Sequence, residues 1–254
     1  MTSEEKSTKY IQEKIQEKPE FGIIILENQF SQLIKEIKNP ICLSYEEIPS
    51  FMRTCGKFIF GDIEGKKVVF LIEPLSYCYK EENKSFPILV CKNIGVNKLI
   101  LINTSIGVNP NYKKGDIMFV KDHINFFPES TQMKEFLLKR KNFLYMDPYY
   151  DQKMLELAES IAMNHNIMIQ KGVYVSIPYS HYNTHSEYAM IRSIGGDSIG
   201  MNHIISDVIT ARCIDLQVFS ISIIIELSEK YESKNTEKTI PLLTLILKEF
   251  IKST

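Results

Sequence analysis

The chain predicts an α/β layer structure built around a largely buried sheet, and two observations carry that expectation. Residues 21–26 are continuously apolar and residues 217–225 predominantly so, both rich in β-branched side chains, the pattern of strands covered on both faces. Between such runs lie segments with apolar residues at helical spacing. In residues 152–165, for example, Met154, Leu155, Ala158, Ile161 and Ala162 fall on one face. Strands that alternate with amphipathic helices bury a sheet between helical layers.

Taken in order, residues 3–18 read as a polar helix with a thin stripe of Tyr10, Ile11 and Ile15, closed by Pro19. The strand at 21–26 follows, then a helical stretch carrying Phe30, Leu33, Ile34 and Ile37. Residues 57–61 and 66–72 read as a hairpin joined by Asp62, Ile63, Glu64 and Gly65. A helix at 85–94 leads to strands at 99–103 and 116–121, separated by a Gly/Asn/Pro turn. Residues 126–147 are weakly patterned and read as a loop with at most one helical turn. After the helix at 152–165 come a strand at 172–177 and a helix at 186–194 stopped by Gly195 and Gly196. A helix at 206–213, the strand at 217–225 and a closing helix at 241–252 complete the series. With no internal repeat or low-complexity segment, the expected organisation is an N-terminal helix over 1–20 and one domain over 21–254. The polar run 228–239 reads as a connection within that domain.

At 254 residues the chain can bury a sizeable core. A net charge of −1 excludes a global field that would draw it to nucleic acid or to an anionic membrane. Its small basic groups, at 113–114 and 139–141, read as solvated surface. The five cysteines (Cys42, Cys55, Cys78, Cys91, Cys213) are odd in number, widely spaced and lack a C-x-x-C pair. That argues for reduced thiols and against a disulfide framework or a structural zinc site. The N-terminus is too polar for a signal peptide, and no apolar run approaches membrane-spanning length. A cytoplasmic protein with neither nucleic-acid nor membrane partners is expected.

A series of segments resembles the low-molecular-mass, trimeric purine nucleoside phosphorylases. They are YEEIPSF (45–51), GKFIFGDIEGKKVVFLI (56–72), FPILV (86–90), GVNKLILIN (95–103), GDIMFVKDHIN (115–125) and GVYVS (172–176), together with the spacing of GGDSIGM (195–201) and VITAR (208–212). None is specific alone; their shared order and spacing over residues 21–226 make the likeness specific. The resemblance implies a single-domain α/β fold with a twisted mixed sheet partly closed into a barrel, flanked by helices in three layers. It also implies a homotrimer with sites close to the subunit interfaces, and no cofactor or metal. The implied reaction is phosphorolysis, in which inorganic phosphate attacks the anomeric carbon of a purine nucleoside and releases free base and ribose 1-phosphate. Such chemistry needs a cationic, amide-lined phosphate seat. It also needs hydrogen bonds that strengthen as the departing purine gains negative charge.

Position by position, the family's chemical residues are replaced. The glycine-rich phosphate loop GSGLG reads Glu27, Asn28, Gln29, Phe30, Ser31, so Asn28 stands at the phosphate-binding serine. Glu27 adds a negative charge beside the anion's seat, roughly 4 kcal/mol of repulsion at ~4 Å and an effective dielectric of about 20. The RFHxYEG segment, which supplies a phosphate arginine, a phosphate histidine and a sugar-contacting tyrosine, places Pro74, Ser76 and Cys78 at those positions. Losing an arginine removes charge and bidentate geometry together. GPSFETxxE reads as residues 179–187: Tyr182 keeps the aromatic wall, while Asn183 replaces the glutamate that grips the purine. GMST becomes Gly200, Met201, Asn202, His203, retaining the sugar-packing methionine and losing the phosphate serine. The leaving-group asparagine aligns with Glu226, and the turn NAAGGLN reads from Asn103 to Asn109 with Thr104 in its second place.

The resemblance thus marks Asn28, Pro74, Ser76, Asn183 and Glu226 as substituted catalytic positions, leaving no catalytic residue assigned. It marks Cys78, Thr104, Tyr182, Asn183, Ile199, Met201, Asn202 and Glu226 as pocket residues. The ordinary readings stand beside the sharper ones. His181, His185 and His203 with Asp207 read as surface or pocket-lining groups before they read as metal ligands. His123 reads as packing beneath the sheet, Cys78 as an inert thiol, and Tyr145, Tyr149 and Tyr150 as packing. Two functions remain open. One is a catalytically degenerate scaffold that binds a purine-like ligand or a protein partner. The other is an active divergent phosphorylase or nucleosidase with a rewired site.

Overall fold

The computed structural model describes residues 1–25, 30–51, 56–72, 86–127, 148–178, 184–201, 204–228 and 238–254. Among the described residues nine strands run β1 (Phe21–Ile25), β2 (Lys38–Ser44), β3 (Lys57–Ile63), β4 (Lys66–Ile72), β5 (Lys98–Gly107), β6 (Ile117–Asn125), β7 (Ile169–Ser176), β8 (Ser198–Gly200) and β9 (Gln217–Leu227). The helices among the described residues are α1 (Ser3–Lys14), α2 (Ser31–Ile34), α3 (Phe86–Ile94), α4 (Gln152–Asn164), α5 (His185–Ser193), α6 (Ile204–Cys213) and α7 (Thr239–Ser253).

The strands form one mixed sheet in the order β2-β3-β4-β1-β5-β8-β7-β6-β9. Because β9 also pairs with β5 along its length, the β5-β8-β7-β6-β9 portion closes on itself. That closure makes the predicted partial barrel; β1 to β4 extend from it as an open sheet. Side-chain alternation along β5 separates two helical layers. Leu99 and Leu101 join the core beneath α1, α3 and α6. Ile100 and Ile102 join the core beneath α2, α4 and α7. Each strand residue thus chooses its layer by parity, and the α/β expectation holds in full.

Several local expectations are corrected. The first helix ends at Lys14, four residues before the predicted limit at 18, because Ile15 is already extended and the residue before Pro19 disfavours the helical region. The helical stretch at 30–37 shrinks to the single turn α2. Residues 38–44 instead form β2, which the sequence reading missed. Pro40 in that run and its largely exposed side chains hide the strand, and both suit the sheet edge where β2 lies. The β3–β4 hairpin is tighter than expected, turning on Glu64 (φ 48°) and Gly65 (φ 80°), a two-residue turn with both central residues left-handed. β5, β6 and β9 each outrun their predicted ends, and the three-residue β8 was not predicted. Gly195 closes α5 at φ 92°, as its position suggested. Of the weakly patterned 126–147 stretch, residues 128–147 lie outside the described residues.

Candidate ligand site at the ends of the central strands

The strand order points to a site. β1 pairs in parallel with β4 on one side and β5 on the other, and the chain reaches β4 through β2 and β3 before crossing to β5. Ligands of open α/β sheets bind outside the carboxyl ends of the strands at such a switch point. Here those ends are brought together, since Ile25 lies opposite both Ile72 and Ile102. Asn28, Pro74, Ser76, Cys78, Tyr182, Asn183 and Asn202 all lie outside the described residues, as do His181 and His203.

Thr104, Ile199, Met201 and Glu226 are described. Thr104 is 7% exposed on β5, between Ile102 of one core cluster and Ile106 at the border of another. Ile199 on β8 is buried, and Met201 packs against the same small cluster. Glu226 reaches this side of the sheet through a bulge. Ser105 pairs with Ile224, but the next residue, Ile106, pairs with Glu226, so Ile225 is an extra residue in β9. Regular alternation would place Glu226 on the same face as Ile224. The inserted residue turns it to the opposite face. Cross-strand partners share a face, so Ile124, Val175, Ile199, Ile106 and Glu226 form one row across β6, β7, β8, β5 and β9. Its first four members are apolar, and its last is an exposed carboxylate.

A cavity of about 460 Å³ opens on this side. Phe126, Ile177, Pro178 and Ile199 line it from the strand ends, and Glu187, Met190 and Ile191 line it from α5. α5 is held by a reciprocal capping box. The Thr184 hydroxyl accepts the Glu187 N–H at 3.2 Å, while Glu187 Oε2 accepts the Thr184 backbone N–H at 2.9 Å and its hydroxyl at 2.8 Å. Tyr188, buried in the cluster with Ile199, has its hydroxyl pKa pushed up by burial, then by Glu226, then by Glu187. Of the cavity-lining residues, Ile199 and Glu187, the retained last residue of the 179–187 segment, were marked by the sequence; the others were not. The spacing of Glu187, Met190 and Ile191 on one helix was its usable signal.

On the other face at this level, Ser105 and Ser222 share a buried hydrogen bond at 2.7 Å. Asn103 is fully buried with neither amide atom bonded, an orphaned group of the kind that collects near functional sites. His123 does pack as expected: its Nδ1 lies 3.1 Å from the Tyr150 hydroxyl, and its ring meets Tyr149 edge-on at 5.0 Å. Tyr150 is a core residue; Tyr145 lies outside the described residues. Among the described residues no cluster of histidine, cysteine, aspartate or glutamate could hold a metal ion. None of the helices described is long and apolar enough to cross a membrane.

A mixed sheet closed in part into a barrel, with a cleft at the ends of its central strands, defines the architecture of nucleoside-processing phosphorylases. Residues 23–252 match the family model described as the phosphorylase superfamily. The chain is 34% identical over 231 residues to purine nucleoside phosphorylase 1 of Bacillus subtilis, covering 87% of this chain and 83% of that protein. It is 31% identical over 237 residues to purine nucleoside phosphorylase 1 of Geobacillus stearothermophilus, covering 88% and 84%. The crystal structure of isoform 2 of purine nucleoside phosphorylase from Schistosoma mansoni, in complex with cytosine and ribose-1-phosphate, superposes with a TM-score of 0.85 at 28% identity, covering 98% of this chain and 95% of that one. The chain belongs to the purine nucleoside phosphorylase family of the phosphorylase superfamily.

Proposed function

We propose that this chain is a purine nucleoside phosphorylase homologue that no longer performs phosphorolysis, its fold retained as a scaffold that binds a purine-like ligand or a protein partner. One observation carries the reading. Glu226, exposed at the end of the cross-strand row, occupies the position at which the family pattern has an asparagine facing the departing purine. A carboxylate there opposes a leaving group that gains negative charge. The substitutions at Asn28, Pro74, Ser76 and Asn183 argue in the same direction. Each lost contact of this kind costs about 10²–10³-fold in rate, and although such losses do not simply add, they share a sign. The proposed protein is a cytoplasmic homotrimer, with residues 1–20 forming a helix ahead of a domain over 21–254. Phe126 and Met190, 45% and 50% exposed beside the cavity, are apolar surface suited to a subunit contact.

The 34% identity to the Bacillus subtilis relative favours a second reading, that of an active divergent enzyme using retained Tyr182 and Met201. Hypoxanthine release from inosine, with and without phosphate, separates the two. The proposal expects no phosphate-dependent release above that of an Asn183→Ala/Glu226→Ala double variant. Clear turnover by the natural chain establishes the second reading instead.

A further inference from the structure

Two sets of contacts hold the start of α4. Asp151 fastens it to β9: its backbone N–H donates to the Val218 carbonyl at 2.8 Å, and its carboxylate accepts the Gln217 amide at 2.9 Å. The two residues before it are fastened to β6 through His123. A register shift between Val120 and Asp122 sets His123 opposite Tyr174 of β7. Cross-strand partners share a face, so the imidazole points toward the core that holds Tyr174. Tyr150 enters the same core, 4% exposed, and its hydroxyl meets His123 Nδ1 at 3.1 Å. Tyr149 packs on the same imidazole, ring centroids 5.0 Å apart.

The chemistry of that contact fixes its direction. Burial, then Tyr174, then Asp122 keep the Tyr150 hydroxyl protonated, and among the described residues Nδ1 is its one hydrogen-bond partner. The hydroxyl therefore donates, Nδ1 accepts, and the neutral ring carries its proton on Nε2. A protonated imidazole has a donor on each nitrogen. Nδ1–H would then face the tyrosine oxygen, and the buried hydroxyl proton would lose its acceptor, a costly state. Among the described residues, the titratable groups around the ring are Asp122 and exposed Lys121 on its own strand, Tyr149 and Tyr150 from the turn before α4, and Tyr174 from β7. Asp122 favours the cation, but its Oδ1 already accepts the His123 backbone N–H at 2.8 Å, and burial outweighs it. We propose that His123 and Tyr150 form a pH-sensitive latch, in which the neutral imidazole holds residues 149–150 against β6 and its protonation releases them while Asp151 keeps α4 on β9.

Hydroxyl-radical footprinting of the full chain, read residue by residue by mass spectrometry at pH 7.5 and pH 5, tests the latch. Oxidation of Tyr150 should rise at least about threefold at the lower pH, as a buried ring becomes accessible. Oxidation of Phe219 and Phe250, buried in the other layer, should stay unchanged. His123→Asn puts an acceptor oxygen in the place of Nδ1 without a titrating group, and should keep Tyr150 protected at both pH values. Nitrogen-15 spectra of the natural chain at pH 7.5 should show His123 Nδ1 without a proton. A protonated Nδ1 at that pH, equal Tyr150 oxidation at the two pH values, a parallel rise at Phe219 and Phe250, or the same rise in the variant overturns the proposal. The natural chain alone decides the first three outcomes, so the proposal stays falsifiable if the variant does not fold.

Discussion

At the scale of single residues, His123 carries a pH dependence that can be measured. Burial lowers its pKa below the ordinary 6.5, with Asp122 pulling in the opposite direction. The unfolded chain therefore binds this proton more readily than the folded one. The stability that the neutral imidazole contributes is intact above about pH 6.5 and is lost as pH falls toward the native value. Urea melts across that interval should show a falling midpoint, and His123→Gln should flatten the slope; parallel slopes in the two proteins would contradict this. That His123 packs was expected from the sequence, although it lies beyond the strand predicted at 116–121 and only the longer β6 carries it. The direction of Glu226 was not legible. It depends on one inserted residue, Ile225, and a bulge leaves no mark on local hydrophobic alternation.

At the scale of elements, α7 shows which contacts hold a layer in place. Phe250 stacks on Phe219 at 5.4 Å, and Phe219 meets Phe119 edge-on at 5.1 Å, all three fully or almost fully buried. On the rim, Lys248 pairs with Glu36 at 2.8 Å and Glu64 at 3.3 Å, with each partner about one-third exposed. Phe250→Ala should cost about 3–5 kcal/mol through lost burial and the cavity left behind. Lys248→Ala should cost less than about 1 kcal/mol, diminishing with salt, because solvent screens the pairs. Chemical denaturation of the two variants should rank them in that order, and the opposite ranking would mean that the ion pairs dominate the docking. Long amphipathic helices such as α4 and α7 were legible because their period repeats over several turns. β2 and β8 were not, the first masked by Pro40 and edge exposure and the second too short for a period.

At the scale of the whole molecule, sheet closure leaves few exposed strand edges. The ring of β5, β8, β7, β6 and β9 removes them on one side. On the other, β2 is blunted by Pro40 and by a register shift between Lys38 and Ile41. Association through the sheet edge is thereby disfavoured. The apolar surface at Phe126, Met190 and Ile194, 45%, 50% and 45% exposed, is the better candidate for a subunit contact. Mass photometry should find three chain masses, and Met190→Glu should shift the distribution toward one. A single-chain mass for the natural protein would refute the trimer.

The sequence by itself determined the layer architecture, the order of most strands and helices, and the family, because strand runs, helical periods and motif order are written in neighbouring residues. It also set the expectation that the family's chemical positions are substituted. Only the tertiary structure decided the closure of β9 onto β5, the face on which Glu226 emerges, and the cavity between α5 and the strand ends. Those features join residues as far apart as Ile106 and Glu226, and local periodicity records which side of a strand is buried without recording the register in which distant strands meet.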